Sequence, residues 1–338
     1  MGRMFRNVIL GCSAITAIVR ESASEEPLAT SWVRTIQKHA NDVVRPTTPG
    51  GRQFWGDVHH FQGWRIQENV FTKQFRLIDP DDNRHIAGSF EECQVALTHV
   101  SDEQKLGPMR GPAVILIHGL LQSSRCMASM AAGLEQAGYT TVEFDYPSTQ
   151  VTIPDAARYL DRVIDSLDGI EEIHFVTHSM GGLVVRAYSM EYDDPRIKRV
   201  VMLGTPNQGA ELADLTHQSW IVRNCVGPSA RQLGTRPDGL IPKLPIPPWE
   251  FAVIAGSRGT SAGWNPLIPG DDDGTVTVES TRLPGAADFA TVCAYHSRLL
   301  WHEEAIDHTV NFIRNGRLRT DGEPQPIDPS DTSTASKQ

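Results

Sequence analysis

The chain has 338 residues, 40% hydrophobic and 21% charged, an ordinary globular balance for one large domain or two small ones. Its 41 acidic residues exceed 31 basic ones, giving a formal charge of -10, the wrong sign for a groove tracking a nucleic-acid backbone. The five cysteines (Cys12, Cys93, Cys126, Cys225, Cys293) are odd in number and form no CxxC pair, which suits neither a disulfide framework nor a zinc site. No run approaches the roughly 18 apolar residues of an integral membrane span.

In chain order, residues 1–24 come first. Arg3 and Arg6 precede an apolar run from Val8 to Val19, which reads as a secretory signal. Arg20-Glu21, where small neutral residues are expected, tilts the reading toward a mobile tail or first helix, and so slightly toward the cytoplasm over export. Residues 25–110 form an N-terminal extension. Within it, alternation at Trp64, Ile66, Phe75 and Leu77, broken by the turn cluster Asp79 to Asn83, predicts a β-hairpin or two edge strands. Ser89 and Glu92 form a capping-box pair that starts a helix running to about Ser101. Lys105 to Pro112 reads as a linker.

From residue 111 to 318 short apolar strands alternate with helices, which predicts a doubly wound, mostly parallel α/β sheet. Strands are expected at Val114–Ile117, Thr141–Asp145, Ile173–Val176, Val200–Leu203, Ala252–Ala255 and Ala290–Ala294. Helices are expected at Ser124–Ala137, Pro154–Leu167, Met180–Met190 and Leu299–Ile313. Residues 319–338, rich in Pro, Ser, Thr and Asp, read as a disordered tail.

The chemistry concentrates at the strand ends. In Ile173 to Leu183 an apolar strand runs straight into a helix with Ser179 at the junction, a turn that lifts the hydroxyl clear of the sheet. Gly181 and Gly182 supply the small residues such a turn needs, although a serine before a helix also serves as a simple N-cap. His118-Gly119-Leu120 follows the strand Val114–Ile117, so the N–H groups of Leu120 and Met180 are candidates to hold an oxyanion. Asp273, in Gly270-Asp271-Asp272-Asp273-Gly274, is the candidate acid; a solvated acidic turn or calcium loop also fits three adjacent carboxylates. His296, just after the last strand, completes the order Ser…Asp…His. His302 and His308 are expected inside the last helix, and His178 is expected to pack under the serine loop.

At these residues the sequence resembles the α/β-hydrolase superfamily, and within it the bacterial lipase/esterase branch. The motifs that carry the likeness are His118-Gly119, Thr177-His178-Ser179-Met180-Gly181-Gly182, Gly204-Thr205-Pro206-Asn207-Gln208-Gly209, Asp273-Gly274-Thr275-Val276 and His296, spanning about Ala113 to Gly316. Thr177 stands where the branch usually has glycine. The resemblance implies an eight-strand-type core, nucleophile Ser179, acid Asp273, base His296 and oxyanion groups on Leu120 and Met180. Substrate contacts are expected at His118, Gly119, Pro206 and Asn207, with no metal and no cofactor. A cap insert at about 205–250, with Leu212, Trp220, Ile241, Leu244 and Trp249, reads either as a roof over an acyl chain or as packing on the core. The expected partner is a small-molecule or lipid ester, not nucleic acid, and oligomeric state stays open. Alternatives are an acyltransferase, a thioester or amide hydrolase on the same triad, or a hydrophobic-ligand binder without turnover.

Overall fold

The computed structural model describes residues 52–217 and 227–330. The segment 1–24, the start of the extension, part of the cap and the chain beyond 330 lie outside the described residues.

The extension is a four-stranded antiparallel sheet in the order β1 (Trp55–Phe61), β2 (Trp64–Asn69), β3 (Phe75–Ile78), β4 (Arg84–Gly88), where the pattern predicted one hairpin. The reason lies in its composition. Asp57, His60, Arg65 and Gln67 are all buried, so the strands lack the polar-out alternation that marks half-buried sheets. Gln62 and Gly63 both take positive φ, 50° and 81°, the hairpin twist that joins β1 to β2. Helix α1 (Phe90–Gln104) carries the expected capping box at Ser89 and Glu92.

The main sheet has six parallel strands in the order β10-β9-β8-β7-β5-β6. These are β5 (Gly111–Ile117), β6 (Thr140–Phe144), β7 (Ile170–His178), β8 (Ile197–Leu203), β9 (Glu250–Gly256) and β10 (Asp288–Val292). Six strands among the described residues replace the eight-strand-type core that the resemblance implied. Along β5, Ile115 and Ile117 enter one apolar core while Val114 and Leu116 enter the other. Helices on both faces account for this: α3 (Ile153–Asp165) and α4 (Met180–Glu191) lie on the first, and α2 (Ala128–Gln136) and the last helix, Glu303–Asn315, on the second. The antiparallel sheet shares the first core through Val58, Trp64, Ile66 and Leu77.

Three expectations are corrected. Ser124–Met127 is a 3-10 turn before α2, and a second break at Trp301–His302 separates a turn at His296–Leu300 from the last helix. His302 is therefore the N-cap residue of that helix rather than a residue inside it. Residues 319–330 are not a loose tail. Arg319 Nη2 donates to the Phe289 carbonyl at 2.9 Å, and Ile327 exchanges backbone hydrogen bonds with Gly285 and Ala286 at 2.9 and 3.0 Å.

Of the cap, α5 (Glu211–His217) and residues 227–249 are described, and Trp220 is not. Ile241 and Leu244 are buried in the first core, and the Trp249 ring sits 5.9 Å from Phe175. Buried Arg186 donates to the carbonyls of Asn207 (2.9 Å), Leu244 (2.8 Å) and Pro245 (3.0 Å). This half of the insert packs on the core.

Candidate active site

Ser179 sits between β7 and α4 with φ 53° and ψ -125°, a conformation that strains any residue with a Cβ. The surrounding packing enforces it. A Cβ at Gly181 would lie 2.4 Å from the Ile117 carbonyl oxygen, and one at Gly182 would lie 2.3 Å from Thr205 Oγ1. Thr177 is fully buried, and its hydroxyl donates to the Val201 carbonyl at 3.3 Å, so the bulkier residue is absorbed between strands. Half-buried Ser179 is pinned by its own N–H to the Leu203 carbonyl at 2.9 Å.

The acidic triplet divides its work. Asp271 accepts from the Ser257 hydroxyl (2.5 Å) and the Arg258 N–H (2.9 Å). Asp272 accepts from the N–H groups of Asn265 (3.0 Å) and Gly274 (2.6 Å). Asp273 alone faces His296: its Oδ2 lies 2.6 Å from Nδ1, while Oδ1 accepts from the N–H groups of Thr275 (2.9 Å) and Val276 (2.8 Å). The His296 N–H also donates to the Asp273 carbonyl at 2.8 Å, so backbone and ring are fixed together. With three carboxylates pointing to three different partners, the calcium-loop alternative loses its ligand set, and no metal cluster occurs among the described residues. Gly256, which the motif reading passed over, makes room: a Cβ there would lie 2.6 Å from Asp273 Cβ.

His178 joins the two halves. Its Nε2 donates to the His296 carbonyl at 3.0 Å, its Nδ1 lies 2.9 Å from Gln122 Oε1, and its ring stands 4.7 Å from that of His296. Burial, and then the neighbouring His296, hold its pKa well below the usual histidine value, and the ring packs under the serine loop. Gln122 was not singled out in the sequence, because a lone glutamine three residues past a glycine carries no signal. It accepts the Gly119 N–H at 2.9 Å and so holds the loop facing Ser179. Among the described residues the Leu120 and Met180 N–H groups have no acceptor, and the Ser179 hydroxyl is not bonded to His296. Such bonds often tighten only when substrate arrives.

Of the four expected substrate contacts, His118 is fully buried, Gly119 and Pro206 are buried, and Asn207 donates to the Thr281 carbonyl at 2.9 Å. Beside Asp273 and His296 lies a cavity of about 620 Å³ whose walls include Trp264, Thr275, Tyr295, Arg298 and Trp301.

Residues 112–221 match the family described as the alpha/beta hydrolase fold. The structure also superposes, at a TM-score of 0.50 and 20% identity, on the propeptide form of Bacillus licheniformis lipase BlEst2, over 66% of this chain and 54% of that one. The chain has the α/β-hydrolase fold. The mature form of that lipase aligns at 21% identity and a TM-score of 0.46, over 62% of this chain and 94% of the lipase. Among curated proteins, a lysosomal thioesterase PPT2 homolog from Drosophila melanogaster is 26% identical over 103 residues. That match covers 28% of this chain and 36% of the thioesterase's length.

Proposed function

We propose that this α/β-hydrolase cleaves carboxylic esters through an acyl-enzyme on Ser179. The observation that carries the reading is the Asp273–His296 pair at 2.6 Å, held on the same sheet rim as a serine at φ 53°. His296 takes the Ser179 proton as the oxygen attacks the ester carbonyl, and returns it to the departing alcohol. Asp273 keeps the Nδ1 proton in place, leaving Nε2 as the base, and stabilises the imidazolium that forms. The Leu120 and Met180 N–H groups receive the charge on the tetrahedral oxygen. Water, deprotonated by His296, then releases the acyl group.

A thioester substrate is the second reading, favoured by the name of the Drosophila relative. A thiolate leaves without full protonation, its pKa being about 8.5, so that reaction leans less on His296 as acid. Two measurements decide. A fluorophosphonate probe is expected to label wild-type protein at Ser179 and to spare Ser179→Ala. Turnover of p-nitrophenyl esters is then compared with that of acyl thioesters of equal chain length. An unlabelled, inactive wild type would leave a ligand binder.

A further inference from the structure

The donor proposed for the oxyanion, the Leu120 N–H, belongs to the Gly119–Leu120 peptide. In a trans peptide the carbonyl and the N–H point in opposite directions, so whatever fixes the Gly119 carbonyl aims the Leu120 N–H. That carbonyl accepts from His118 Nδ1 at 2.8 Å, and more weakly from the Gln122 N–H at 3.4 Å. With its proton on Nδ1, the His118 ring presents Nε2 as the acceptor for the Tyr146 N–H at 3.5 Å. Burial lowers its pKa and favours this neutral form. The ring is clamped further by Tyr146, which stacks on it at 4.4 Å and donates its hydroxyl to the His118 carbonyl at 2.7 Å.

Behind His118 stands Asp145, whose backbone leads directly into Tyr146, the residue bonded to and stacked on the ring, and Asp145 is gripped by the antiparallel sheet. Arg65 of β2 donates to its Oδ2 at 2.7 Å. Asp57 of β1 accepts the Asp145 N–H at 2.7 Å and returns its own N–H to the Asp145 carbonyl at 2.8 Å. Gln67 and Ser124 satisfy the remaining oxygens, through Gln67 Nε2 to Asp57 Oδ1 at 2.7 Å and the Ser124 N–H to Asp145 Oδ1 at 2.7 Å. Arg65 and both aspartates are almost completely buried. Burial works against both carboxylates; at Asp145 it is outweighed chiefly by Arg65, which holds that group low, while at Asp57 it prevails and pushes the carboxyl up. A buried cluster of this kind is an expensive way to fasten a sheet, because an apolar contact would stabilise it at least as well. What the cluster does provide is direction.

We infer that Asp57 and Arg65 of the antiparallel sheet are positioning residues for ester cleavage, acting through Asp145 and His118 to aim the Leu120 N–H at the reacting oxygen. The inference rests on the serine-hydrolase reading and extends it to a region outside the parallel sheet.

The test uses the full chain, p-nitrophenyl butyrate as substrate and an alkyl trifluoromethyl ketone as a tetrahedral oxyanion mimic. Wild type and Ser179→Ala come first: no turnover and no labelling of wild type would overturn the hydrolase reading, and this inference with it. Given an active wild type, His118→Ala is expected to lose up to about 10²–10³ in kcat, the effect of one oxyanion donor, with KM little changed. His118→Asn keeps a side-chain N–H near the Nδ1 position and recovers most of that loss. Asp57→Asn, one step further back, loses about tenfold, and the Ki of the ketone rises by the same factor. If Asp57→Asn does not fold, Tyr146→Phe takes its place and is expected to move kcat and Ki together. Folded variants that keep wild-type kcat and Ki, or that change KM alone, would overturn the inference.

Discussion

In the parallel sheet the strand interiors bury apolar side chains on both faces, charged residues such as Glu171, Glu172, Lys198 and Arg199 lie near the strand starts, and the polar side chains of the candidate site gather at the rim where β5 and β7 end. In the antiparallel sheet, charged and amide side chains run through the middle: Asp57, His60, Arg65 and Gln67 are buried within a few residues of Trp64 and Ile66. The first arrangement separates stability from chemistry, since the strands supply the core and the loops beyond them the reactive groups. The second merges the two, and a substitution there touches packing and charge at once.

The largest expected effect lies at the rim. Asp273→Asn is predicted to lower kcat by about 10⁴, as when a triad acid loses its charge, with the unfolding midpoint little changed. Asp272→Asn, which unpins the Asn265 and Gly274 N–H groups, is predicted to act chiefly on stability. Kinetics and thermal melts of the two variants check the division, and it breaks if Asp272→Asn abolishes turnover while Asp273→Asn does not. Next comes Ile66→Ala in β2. Ile66 is fully buried and shares a core with Ile115 and Phe175, so a loss of about 2–5 kcal/mol is expected. Urea unfolding followed by tryptophan fluorescence and by circular dichroism is predicted to give one coincident transition. Two separated transitions would show that the sheets fold apart.

The smallest effect, counted per pH unit, concerns acid. Burial, then Arg65 and His59, push the pKa of His60 down to about 3, and its Nδ1 has no hydrogen-bond partner among the described residues. Between an unfolded value near 6.5 and that folded value, the unfolded chain binds the extra proton. Stability therefore falls as pH drops through this window, by about 1.4 kcal/mol per pH unit for this one group. Replacing His60 with Phe is predicted to flatten that slope in denaturation curves taken at pH 4 to 7, and an unchanged slope would place the acid sensitivity elsewhere.

How much could be read in the residues follows the same divide. Strands β5 to β9 are legible because each is an apolar run between turn signals, and Ser179 because its strand meets a helix with Gly181 and Gly182 just beyond. Asp273 could be chosen from three neighbours only through the order of motifs; its distinction, the contact with His296, is tertiary. The antiparallel sheet was half visible, since the partners of its buried polar residues are tertiary: Arg65 meets Asp145, eighty residues downstream, and Gln67 meets Asp57 of the neighbouring strand. Pro206 and Asn207 sit in a family-like motif, yet they are buried, and Asn207 faces Thr281 rather than solvent. Motif position alone does not tell a residue that touches the ligand from one that supports it.

The segment after the last helix carries a consequence for assembly. Among the described residues no strand pairs with the outer side of β10, which ends the parallel sheet, and an uncovered strand of this kind can recruit a strand from another molecule. Arg319, Gln325 and Ile327 lie along it, with Gln325 and Leu318 both donating to buried Asp288. Cutting the chain near residue 318 would strip that guard from β10 and take the Arg319 and Gln325 donors from buried Asp288, so it invites stacking of one molecule on the next.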